Sequence, residues 1–116
     1  MPQSQPQQPS YRIERINQSL RRELVLLLKN QTKDPRLQGI SVTDVLASRD
    51  LSSAKIFYTV AESEREKVAP LLTQAAGFFR KRLAKNLDLR HTPALKFIYD
   101  SAPNTGARIE ELLAKI

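Results

Sequence analysis

AAGFFRKRLAKNLDLR, residues 75–90, reads as a helix with one buried side and a positively charged outer side. Leu72, Ala76, Phe79, Leu83 and Leu87 recur at three- and four-residue steps, which places them on one stripe of a 3.6-residue helix. Arg82 and Lys85 fall on the far side of that stripe, and Arg80 and Lys81 flank it. With Arg90 they make five basic residues against a single acid, Asp88, over residues 80–90. These five are the candidate contacts with a polyanion such as RNA, against the plainer reading of a solvated amphipathic helix with ordinary surface lysines. Gly77 lies where a helix interior loses about 1 kcal/mol relative to Ala. Its setting between alanines and phenylalanines predicts a kink at Ala75, Ala76 and Gly77.

Upstream, Ile13, Ile16, Leu20, Leu24 and Leu27 mark a first helix running from residue 11 to about residue 31, with Ser10 as its expected cap. Its polar side carries Arg12, Arg15, Arg21 and Arg22 against Glu14 and Glu23. Those arginines extend the basic surface or form a solvated, partly neutralised face. Residues 1–10, MPQSQPQQPS, are rich in Pro and Gln, and we expect a disordered tail there and one folded domain over residues 11–116. Pro35 requires the first helix to end by Asp34. Residues 40–47 and 54–60 read as strands joined by the turn SRDLSS, hence an antiparallel hairpin. Asp44 interrupts the apolar face of the first strand, where a bulge would re-aim Val45.

Beyond the hairpin, Ser63 with Glu66 has capping-box spacing, whereas Pro70 argues for a helix start nearer Ala69. Residues 95–100, LKFIYD, read as a third strand with Leu95, Phe97 and Tyr99 on one face. A short helix with Ile109, Leu112, Leu113 and Ile116 closes the chain, capped by Asn104 or Thr105. The order implies an α+β domain with helices over one face of a small three-stranded sheet. It is also the order of a type II KH domain, although the Gly-x-x-Gly loop by which KH domains clamp nucleic acid is missing.

Composition narrows the function. Across 116 residues, 19 Lys and Arg against 12 Asp and Glu give a net charge of +7, which favours a polyanionic partner. The absence of cysteine excludes disulfides and zinc-thiolate sites and fits a reducing compartment. No apolar run approaches the ~20 residues of a membrane span, and the N-terminus has no apolar signal core, so a cytoplasmic chain is expected. The one histidine, His91, lies in a turn beside Pro93. Glu110 and Glu111 are adjacent on a helix and point apart, and the three glycines form no phosphate loop. We expect no enzymatic activity, metal, cofactor or small-molecule substrate.

In order and spacing, the chain resembles the bacterial ribosome-binding factor A family over nearly all of residues 12–113. The resemblance is carried by Lys33-Asp34-Pro35-Arg36-Leu37, by Ser48-Arg49-Asp50-Leu51 with Ala54-Lys55, and by Ala75-Ala76-Gly77-Phe78 with the basic helix after it. Pro93, Leu95, Phe97 and Asp100 complete it. It implies a type II KH-like fold in which the Ala-x-Gly kink replaces the Gly-x-x-Gly loop. It further implies binding of free small (30S) ribosomal subunits late in assembly, help with maturation of 16S rRNA, and a role in cold adaptation. The partners expected are the small subunit and its rRNA, with the protein acting as a monomer. From residues alone, a second class stays open: an interaction module whose basic helix docks on an acidic protein. Phe78 is open too. On an unkinked helix it lies near Arg82 and Lys85, available to a base; a kink would turn it into the core.

Overall fold

A computed structural model describes residues 7–30, 34–89 and 91–101. The chain runs through α1 (Gln7–Asn30), a one-turn α2 (Pro35–Gln38), strands β1 (Ser41–Ala47) and β2 (Ser53–Thr59), α3 (Arg65–Leu87) and β3 (Ala94–Tyr99). The sheet has the order β1-β2-β3, with β1 antiparallel and β3 parallel to the central β2. A parallel neighbour needs a crossover, and α3 supplies it. The fold is α+β, with α1 and α3 side by side on one sheet face.

Each strand turns alternate side chains toward those helices. Val42 and Val45 of β1 and Ala54, Ile56 and Tyr58 of β2 join Leu20, Leu24, Leu27 and Leu28 of α1 in one core. Val68, Leu72, Phe79 and Leu83 of α3 complete it. Val42 and Val45 are an odd number of residues apart, so a regular strand would point them to opposite faces. The register slips between Val42 and Asp44, and this bulge returns Val45 to the core. The hairpin turn is organised by Asp50, whose Oδ1 accepts from Ser48 Oγ, Ser52 N and Ser52 Oγ at 2.8, 3.0 and 2.8 Å. Those bonds pull the Asp50 carboxyl down to about 2. Leu51, at φ 60°, takes the left-handed corner.

Four expectations need correction. First, α1 starts at Gln7, ahead of Ser10, with Pro9 in its first turn where the missing N–H breaks no intrahelical bond. Second, the segment after α1 holds the extra helix α2: Asp34 accepts from the Arg36 backbone N–H at 3.0 Å as N-cap, and Pro35 occupies the first turn. The Arg36 guanidinium also bonds both Asp34 oxygens, at 3.1 and 2.9 Å, which holds that carboxyl below its usual range. α2 delivers Leu37 into the core. Third, α3 begins at Arg65 after a 3₁₀ turn (Glu62–Glu64), so Pro70 lies inside the helix. Fourth, α3 runs through Ala75, Ala76 and Gly77 as one helix, and the helix–break–helix reading gives way to an uninterrupted one. Gly77 does not adopt positive φ, and a Cβ built there meets nothing within 4 Å. The terminal helix expected beyond residue 101 lies outside the described residues.

Candidate nucleic-acid interface

At 100° per residue, the core-facing side of α3 takes Val68, Leu72, Phe79 and Leu83, all fully buried. Burial of each such side chain contributes roughly 1.5–3 kcal/mol before entropy is subtracted. The opposite side is thereby committed to solvent. Gly77, Lys81 and Gln74 lie near its centre, Lys85 and then Phe78 toward one flank, and Arg82 further round that flank beside the core stripe. Lys81 and Lys85 are exposed, and Arg82 is half-buried.

Charge is segregated along this helix. At its N-terminal end, cations answer acids: Arg65 approaches Glu62 at 3.9 Å and Lys67 approaches Glu64 at 3.8 Å. The Arg65 guanidinium also lies 4.0 Å over the Tyr99 ring, which seats the helix start against β3. At the C-terminal end, no acid among the described residues lies within ion-pair distance of Arg80, Lys81, Arg82 or Lys85. Attraction to the helix dipole favours cations in the last turn only, and so accounts for Lys85 alone. Asp88 caps the helix in the left-handed conformation, at φ 52° and ψ 46°.

The five basic residues expected on this segment do not share one role. Arg80 reaches back to the loop before β3, donating from Nε to the Pro93 carbonyl at 3.1 Å and from a terminal nitrogen to the Thr92 carbonyl at 2.8 Å. Its charge stays uncancelled while its side chain is held. Lys81 and Lys85 project freely, and the Arg82 guanidinium sits 5.5 Å over the Phe78 ring. Arg90 lies outside the described residues. On α1, Arg12, Arg15, Arg21 and Arg22 are all exposed. Arg12 and Arg15 border a cleft with Ile16, Ser19, Leu87 and Leu89, and so flank the end of α3. Arg21 and Arg22 line a separate hollow with Gln18, Val25 and Leu26. The two helices are tied by Asn86, which donates to Glu23 at 3.1 Å.

Phe78 is 39% exposed, so the reading that turns it into the core fails. The Arg80 latch was hidden from the sequence because its partners lie 12 and 13 residues away in a loop. Among the described residues, no group of three or more His, Cys, Asp or Glu side chains is placed to hold a metal ion, and no helix is long and apolar enough to cross a membrane.

Comparison with known proteins bears on this surface. The ribosome-binding factor A family profile matches residues 12–113. The chain belongs to that family. Ribosome-binding factor A of Ruthia magnifica is 68% identical over 110 residues, spanning 95% of this chain and 98% of that protein. The crystal structure of the family member from Thermus thermophilus superposes with a TM-score of 0.70 at 26% identity, over 78% of this chain and 98% of that one. A Thermus thermophilus homology model fitted into the cryo-EM map of a 30S complex has a TM-score of 0.62 at 27% identity, covering 71% and 88% of the two chains. That member of the family is thus placed on the small ribosomal subunit.

Proposed function

We propose that the protein is a non-catalytic assembly factor that binds free 30S subunits through the outer face of α3, with Lys81, Arg82 and Lys85 against rRNA phosphates. The observation that carries this reading is the set of cations on a solvent-committed helix face with no acid to answer them. Phosphate oxygens answer them and release counterions in doing so. Arg80 adds its charge from the side, and Arg90 and the α1 arginines Arg12, Arg15, Arg21 and Arg22 belong to the wider basic surface. The fitted Thermus relative supports the choice of subunit. On this reading the protein acts as a cytoplasmic monomer late in assembly, assists maturation of 16S rRNA, and matters most in the cold, when misfolded RNA escapes slowly.

Sedimentation of a cell lysate tests it: the protein is expected with free 30S subunits and absent from 70S ribosomes and polysomes. Ribonuclease treatment is expected to abolish co-purification with ribosomal proteins. Survival of that association would point to an acidic protein partner instead. Deletion of the gene is expected to raise unprocessed 16S precursor and slow growth at low temperature.

A further inference from the structure

Phe78 holds a position that neither folding nor charge explains. The helix it sits on already has its core stripe, and Phe78 lies outside that stripe, on a flank of the outer face beside Gln74, Lys81 and Lys85. It is one of three large apolar side chains exposed among the described residues, with Val25 and Leu26, and the only aromatic. Its ring is also held in place. Phe79 meets it edge-on, with centroids 5.6 Å apart and planes at 61°, and Phe79 in turn packs against Phe97 at 6.0 Å. An aromatic chain therefore runs from the sheet to the surface and ends in an oriented ring. The guanidinium of Arg82 stands 5.5 Å from its centroid, and Gly77 leaves the adjoining surface bare.

We propose that Phe78 is a stacking platform for one unpaired RNA base, with Lys81, Lys85 and Arg82, which also braces the ring, holding the phosphates around that nucleotide. The inference rests on the reading of α3 as an rRNA-binding face and names its ligand: a single-stranded segment. Every base offers a π-face, so the platform selects unstacked nucleotides over paired ones with little regard to sequence. A fixed ring loses little entropy on capturing a base. A double-stranded RNA would meet the same lysines and leave the ring unused.

The test uses the full-length protein and a ten-nucleotide oligoadenylate carrying one 2-aminopurine, beside an oligomer of the same length with an abasic site and a ten-residue polyglutamate peptide. Wild-type protein is expected to bind the oligoadenylate, quench the 2-aminopurine by stacking, and bind the abasic oligomer more weakly. Phe78→Leu keeps an apolar side chain and a good helix former, so the fold stays intact; it is expected to lose quenching and about 5- to 150-fold in affinity. Phe78→Trp is expected to restore both. A folded Phe78→Leu protein that binds and quenches as wild type does would overturn the platform. So would wild-type protein that fails to bind the oligomer, or that prefers polyglutamate, which would assign the face to an acidic protein. Wild-type association with 30S subunits on a gradient is read separately, so the platform can fail while the small-subunit reading stands.

Discussion

Neutralising the two outermost lysines of α3, Lys81→Gln with Lys85→Gln, separates a functional basic face from an incidental one. Both side chains are exposed, neither has an ion-pair partner among the described residues, and they stand one helical turn apart. Like charges at that spacing repel by roughly 0.2–0.5 kcal/mol, so their removal is expected to leave stability unchanged or raise it slightly. Binding is expected to move the other way. With Lys81, Arg82 and Lys85 on phosphates, about three contacts give a log-affinity against log-salt slope of roughly −2 to −3. Over the fourfold rise from 50 to 200 mM salt, affinity for 30S subunits then falls about 16- to 64-fold. Loss of two contacts leaves a slope near −0.7 to −0.9 and a fall of only about threefold. Subunit binding measured by filtration across a salt series, beside urea denaturation, reads both effects. A double variant with the wild-type slope would refute the assignment and move the contact to the arginines of α1.

Three further outcomes test the frame around that face. Gly77→Ala is expected to raise stability by up to about 1 kcal/mol in urea denaturation, because the added Cβ meets open space in a regular helix; a loss would restore the kink. Thr43→Val removes the hydroxyl that donates to Asp100 Oδ2 at 2.6 Å, where the carboxylate is 3% exposed, and is expected to cost about 1–3 kcal/mol by the same measurement. Asp50 is expected to titrate near 2 by carboxyl NMR. Its folded pKa is depressed, so its contribution to the hairpin is fully present above the unfolded value near 3.9 and is lost as pH falls through 2; a midpoint near 4 would mean the turn is open in solution.

Local patterns told the elements apart where burial and periodicity agree. The steps of Leu20, Leu24 and Leu27 gave α1, and the alternation of Ala54, Ile56 and Tyr58 gave β2. The misplaced Asp44 announced its bulge because a carboxylate cannot take a core position. Gly77 misled because its local cost, about 1 kcal/mol, is a fraction of what four buried side chains of the same helix contribute. Pro70 misled likewise: helix ends follow the packing of Val68 and the Arg65–Tyr99 contact, neither visible from a proline alone. α2 was overlooked because four residues are too few for a periodic signal, although Asp34-Pro35 is good capping chemistry. For the interface, helical phase sufficed to turn Lys81 and Lys85 outward. It was silent on Arg80, whose long side chain chooses partners beyond its own helix.

The hold of Arg80 on the Thr92 and Pro93 carbonyls has a bearing on how the chain assembles. β1 and β2 meet across a tight turn and can zip locally, whereas the parallel edge of β2 must wait for a strand some forty residues later, with Ser53 paired to Ala94 and Tyr58 to Tyr99. Closing so long a loop is entropically slow, and an open central strand invites wrong partners meanwhile. A helix already docked on the hairpin presents Arg80 as a catch for the segment entering β3. With the residue before β3 held there, the loop left to close is the 13-residue span from Arg80 to Pro93 and not the forty or so residues between the paired strands.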